Sequence, residues 1–187
     1  FEDAQVVHVS GSVDPKRDIE IITTELALRD LGVVTSTCTR VEKLAKSGDK
    51  KAAAAVEVLQ QVLTSLDRGL PARTVTRDLP PAAQDVVKPL NLLTAKPVLY
   101  VANVGEQDAV RGDSPQVQAV RELAAAEGAA VVLICAAIEA QIASLETDEE
   151  RAEYMAAIGL SEPGLTSLIR AGYELLDLIT FFTVGPK

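Results

Sequence analysis

Apolar positions change their period along this chain of 187 residues. Two short unbroken runs, Val98-Leu99-Tyr100-Val101 and Ala130-Val131-Val132-Leu133-Ile134, read as strands buried on both faces of a parallel sheet. Between them lies a helix: Ser114 is a natural N-cap, Pro115 fits the first helical position, Val117, Val120 and Leu123/Ala124 form an inward stripe, and Gly128 ends it. Strand, helix, strand is a βαβ unit, whose right-handed crossover leaves both strand ends on one edge of the sheet.

Upstream, from Asp14-Pro15 to Thr94-Ala95, the pattern is helical. Ile19, Ile22 and Leu26, with a second stripe through Ile21 and Leu28, predict a helix buried on two sides. After an expected break at Gly32, the seam continues through Val34, Cys38, Val41 and Ala45 until Ser47-Gly48-Asp49 turns the chain. Val56, Leu59, Leu63 and Leu66 give a return helix at near-heptad spacing that ends at Gly69, so the pair reads as an antiparallel, coiled-coil-like hairpin. A further helix is expected from Pro80 to about Leu93, kinked at Pro89. Downstream, Thr147 with Glu150 predicts a capping box. Ser161 with Pro163 starts a last helix, whose Leu165, Leu168/Ile169 and Leu175/Leu176 are expected to face the sheet.

The candidate chemistry sits where the first apolar run ends, in Asn103-Val104-Gly105-Glu106. Open α/β sheets place ligands at the carboxyl ends of their strands. The Asn103 amide offers a donor and an acceptor side by side, which suits the adenine N7 and N6 edge. The second run ends in Cys135-Ala136-Ala137, whose small side chains let backbone amides approach a planar base, so the two loops together outline a purine slot. The competing reading is a turn whose Asn, Gly and Glu serve loop geometry alone.

Six separated words carry a resemblance: Phe1-Glu2-Asp3, His8-Val9-Ser10-Gly11, Thr24-Glu25-Leu26-Ala27-Leu28, Asn103-Val104-Gly105-Glu106, Cys135-Ala136-Ala137-Ile138-Glu139-Ala140 and Arg170-Ala171-Gly172-Tyr173. In this order they resemble the Obg-like ATPases, the YchF family, over the whole chain. The resemblance implies an α/β fold, the C-terminal half of a P-loop NTPase with an inserted helical hairpin. Residues 1–13 would be a strand and loop of the G domain, 14–94 the insertion, 95–177 the base-binding half, and 178–187 the first strand of a TGS β-grasp domain. It further implies that Asn103 to Glu106 stand in place of the Asn-Lys-x-Asp motif of GTPases, with Cys135, Ala136 and Ala137 in the fifth motif.

Guanine's N1–H and exocyclic amine, which the GTPase Asp accepts, have no counterpart in adenine. Glu106 is one methylene longer than that Asp, and Val104 lacks the Lys stem that covers the base, so discrimination against adenine should relax or reverse. The direction toward ATP is implied by the resemblance, with GTP also admitted. No Gly-x-x-x-x-Gly-Lys-Ser/Thr occurs in the chain. The expectation is therefore an ATP hydrolase when intact, inactive as this chain alone, with the phosphate loop and the Mg site on a preceding segment.

Composition constrains the partners. A formal charge of −9 argues against general DNA binding, and no apolar run approaches the roughly 18 residues of a membrane span, so a cytoplasmic protein is expected. Cys38 and Cys135 read as buried thiols, His8 as a structural residue on a short strand, and Thr147 to Glu150 as a helix start rather than a metal cluster. Arg40, Lys43, Lys46, Lys50 and Lys51 gather at the hairpin tip against Glu42 and Asp49. Either they form a solvated helix end or they meet ribosomal RNA phosphates, and the family's link to ribosomes keeps the second reading open. Two functions follow: a ribosome-associated ATP-binding switch, or a nucleotide-independent adapter that docks on the ribosome through the hairpin.

Overall fold

The computed structural model describes residues 12–185. They form two compact units, one of Arg17–Pro97 and one of the described residues on either side of it. The expected strand around His8 lies outside the described residues.

The helical unit is built on α1 (Pro15–Lys46) and α2 (Lys50–Asp67). Gly48 turns the chain with φ +95°, and the Asp49 carboxylate caps α2 by accepting from the Lys51 and Ala52 amides. Ala27, Val34 and Cys38 of α1 share one core with Leu59, Val62 and Leu66 of α2 and with Ala72, Val87 and Leu92. Gly32 does not break α1. A mid-helix glycine costs about 1 kcal/mol relative to alanine, and Leu31, Val33 and Val34 on either side are packed in the core. The first turns are not buried on two sides: Ile21, Ile22, Leu26 and Leu28 are exposed. The reason is length, since α2 has 18 residues against 32 in α1 and cannot cover all of it.

Two short helices follow, α3 (Arg73–Thr76), which the sequence pattern did not suggest, and α4 (Pro81–Val87). The helix expected to reach Leu93 stops early. Pro89 lies in a 3₁₀ turn, Lys88–Leu90, closed by Asn91 with φ +47°, because the proline ring supplies no N–H for the helical ladder. Asp30, 2% exposed on α1, fastens this region: its carboxylate accepts from the Leu93 amide (2.9 Å), the Thr94 amide (2.7 Å) and the Thr94 hydroxyl (2.6 Å).

The second unit holds a parallel pair, β1 (Leu99–Asn103) and β2 (Ala130–Ile134), in register from Leu99↔Ala130 to Asn103↔Ile134. Between them run α5 (Glu106–Arg111) and α6 (Pro115–Glu127), the latter capped by the Ser114 hydroxyl and ended by Gly128 at φ +66°. After β2 come α7 (Ala136–Ser144), α8 (Asp148–Ile158) and α9 (Gly164–Leu175). The capping box forms between Thr147 and Glu150, and the Thr147 backbone N–H, foremost, holds the Glu150 carboxyl below its usual value.

Successive strand residues face opposite sides. Tyr100 donates to Glu127 of α6, and Gly112, bonded through its carbonyl to Arg121 of α6, lies against Leu133. Gly164 of α9 lies against Ile134. α6 and α9 therefore lie on opposite faces of the strand pair but cover them incompletely: contrary to the expectation of strands buried on both faces, β1 has no buried residue, Val101 is 47% exposed, and only Val132 of β2 is buried. α9 meets the sheet at Gly164, and its Leu168 and Leu175 are half-buried, whereas Leu165, Ile169 and Leu176, expected to face inward, are exposed. Residues 180–185 form no strand, for none of the described residues pairs with them, and Phe181, Phe182 and Val184 are exposed.

Candidate functional site

Both strand ends open on the same edge of the sheet. Asn103 closes β1 with an exposed side chain, and Ala136 and Ala137 open α7, also exposed. Asn103 Oδ1 accepts the Ala136 amide at 3.2 Å, a bond that ties together loops 33 residues apart. Next door, the Val104 amide donates to the Ile134 carbonyl at 2.8 Å, continuing the ladder one residue beyond the strand.

Val104 and Cys135 turn inward, 6% and 5% exposed. Val104 therefore offers a planar ligand only backbone. Cys135 is the N-cap residue of α7, and its thiol packs with Ile138 and Ile142. Gly105 is the N-cap of α5, so Glu106 occupies the first helical position, exposed, where a carboxylate suits the positive helix end.

The chemistry of Asn103 follows from its one bond. Its oxygen is engaged by α7 and keeps a single lone pair, whereas its amide nitrogen retains two N–H donors. The side-by-side donor and acceptor expected from the sequence thus persists, with the acceptor oxygen shared with α7. A donor suits purine N7, an acceptor that adenine and guanine share. Among the described residues no group of three His, Cys, Asp or Glu side chains is placed to hold a metal ion.

A residue that sequence reasoning quoted without a role is Glu139. Its carboxylate accepts the Gly164 amide at 2.7 Å and the Leu165 amide at 3.4 Å, capping α9 from α7. The available signal was Pro163, which stands at the N-cap of α9 with no side-chain acceptor and leaves the helix to be capped from elsewhere.

At the other unit's tip, Arg40, Lys43 and Lys46 on α1 and Lys50 and Lys51 on α2 are all exposed. Lys43 and Lys46 complement the end of α1, whereas Lys50 and Lys51 open α2, where cations oppose the helix dipole.

No family model matches the chain. Individual relatives do. The "Ribosome-binding ATPase YchF" of Escherichia coli O157:H7 is 48% identical over 187 residues, all of this chain and 50% of the relative. The protein of the same name from Bacillus subtilis strain 168 is 45% identical over 188 residues, again all of this chain and 50% of the relative. A solved structure titled "Structure of the Schizosaccharomyces pombe YchF GTPase" superposes with a TM-score of 0.85 at 27% identity, covering 99% of this chain and 50% of that one. The helix-rich α/β architecture with its parallel strands is therefore the fold of the Obg-like P-loop NTPases. Within that class the chain is homologous along its entire length to YchF, and it spans about half the length of the curated relatives it matches.

Proposed function

We propose that this chain supplies the purine-holding half of a YchF-type nucleotide hydrolase that acts on the ribosome, with ATP as its ligand and GTP admitted. The observation that carries this reading is the Asn103 to Ala136 bond, which draws two loops to one sheet edge and leaves N–H donors on an exposed amide beside two exposed alanines. Asn103 donates to N7, Ala136 and Ala137 flank the base closely, Val104 and Cys135 contribute backbone, and Glu106 tunes purine choice. That the relatives are named ATPase in bacteria and GTPase in the fission yeast structure agrees with a slot that admits purines and discriminates weakly. Phosphate-loop and Mg-binding residues belong to sequence outside these 187 residues, so this chain alone is inactive, and the protein acts in the cytoplasm. The domain reading stays as the resemblance gives it, with 14–94 as a coiled-coil insertion, 95–177 as the second half of a G domain and 178–187 as the entry to a TGS domain.

The test is calorimetric titration with ATP and GTP of the protein extended to the length of its relatives. Asn103→Asp keeps an oxygen for the Ala136 amide and loses the donor. It should weaken ATP and GTP alike, by about tenfold or more. Unchanged affinity in a folded Asn103→Asp variant removes the base-holding role.

A second reading, a nucleotide-independent adapter, has its own support in the tip. Lys50 and Lys51 stand at a helix start against the local dipole, which suits contact with an RNA phosphate. Reversing Lys43, Lys46, Lys50 and Lys51 should then release the extended protein from ribosomes in co-sedimentation, with or without nucleotide. Retained sedimentation would exclude the tip.

A further inference from the structure

Between α3, α4 and residues 91–97 the helical unit bears an open depression of about 370 Å³. Four cations line it, Arg73, Arg77, Lys88 and Lys96, with no carboxylate among the lining residues, and the buried Val87 and Leu92 contribute an apolar wall. This concentration stands out in a chain of formal charge −9. It is separate from the hairpin tip, and nothing in the base-holding loops requires it.

The cations are held by the fold. The Arg73 guanidinium donates to the Thr94 carbonyl at 3.4 Å, and the Arg73 amide donates to the same oxygen at 3.0 Å. Thr94 is in turn fixed by Asp30 through two bonds, and its hydroxyl accepts the Ala72 amide at 2.9 Å. Lys96 Nζ donates to Asn91 Oδ1 at 2.6 Å, and Asn91 occupies the left-handed region, which asparagine tolerates better than most residues with a side chain. Lys88 has only a loose partner, Asp85 at 3.8 Å, with both side chains well exposed. Arg77 makes no side-chain hydrogen bond or ion pair among the described residues, so its five donors await an acceptor. Two anchored cations and two available ones around a concavity of ligand size suit an anion bearing several oxygens.

The geometry points to a second ligand site here, for a small phosphorylated molecule whose phosphate meets Arg73, Arg77, Lys88 and Lys96 and whose apolar portion lies on Val87 and Leu92. The cations ring a pocket with an apolar wall instead of following a line, which favours a small ligand over the backbone of a nucleic acid.

Inorganic phosphate and phenyl phosphate are the probes, titrated into the 187-residue chain with amide chemical shifts as readout. Neither carries a purine, so the Asn103 loops take no part and the outcome is independent of the function proposed above. Saturable shifts of residues around 73–97 are expected, with phenyl phosphate binding more tightly than phosphate alone. Arg77→Glu should weaken both by about tenfold or more, Lys88→Glu should act in the same direction, and Lys16→Glu, exposed at the start of α1, should leave binding unchanged. Absence of saturable binding, or equal binding by Arg77→Glu and Lys88→Glu, overturns the site. Should only a single-stranded ribo-oligonucleotide bind in an Arg77-dependent manner, the small-ligand assignment falls and the cavity is an RNA contact.

Discussion

Asp30 is the residue on which the helical unit turns. A carboxylate 2% exposed is tolerable only when its lone pairs are taken up, and here the Leu93 amide and both donors of Thr94 do so. They come from residues 63 and 64 positions further on, so one side chain joins α1 to the turn before β1. Asp30→Ala leaves these donors buried and unpaired, at a cost of about 3 kcal/mol or more. A lowered urea midpoint with native secondary structure at zero urea is expected. An unchanged midpoint would show that water replaces the carboxylate. Asn103 differs in kind: its bond to Ala136 also spans distant loops, yet it is exposed and its donors face solvent.

Between elements, the fastening that the pattern of apolar residues did not reveal is α7 to α9. Glu139 supplies the acceptor that Pro163 lacks, and Gly164 allows the approach: a Cβ there would sit 3.1 Å from Glu139 Oε1, 3.2 Å from Ile134 Cγ1 and 3.3 Å from the Leu133 carbonyl oxygen. Glu139→Ala should cost about 1 kcal/mol and speed amide exchange at Gly164 and Leu165. Gly164→Ala should cost about 1–3 kcal/mol by overpacking; both are read from thermal melts. The parts of the fold that were legible are local: the Ser114 and Thr147 caps, the Gly128 stop, and the two apolar runs that became β1 and β2 all encode their outcome within a few residues. What was hidden depends on partners. Ile21, Ile22, Leu165 and Ile169 have the spacing of buried stripes but are about half exposed. The Val104 amide is held by Ile134 of β2 and the Asn103 oxygen by Ala136 of α7, both about thirty residues away, so the loop positions were readable from sequence and these partners were not.

At the scale of the molecule, each unit has a core of its own. One is assembled wholly within residues 17–97, and another packs Ile138 and Ile142 of α7 with Tyr154, Met155 and Ile158 of α8. Exposed Phe181, Phe182 and Val184 add apolar surface that favours self-association. The only two cysteines are divided between the cores, Cys38 in the helical one and Cys135 under α7, and both are free thiols 3% and 5% exposed. Burial, with the nearby Glu42 carboxylate second, pushes the Cys38 thiol above its usual range and further quiets it. The protein thus carries a pair of internal clocks. In excess disulfide reagent each sulfur should react only when its own core opens, giving two phases, and Asp30→Ala should hasten the Cys38 phase while the Cys135 phase keeps its time.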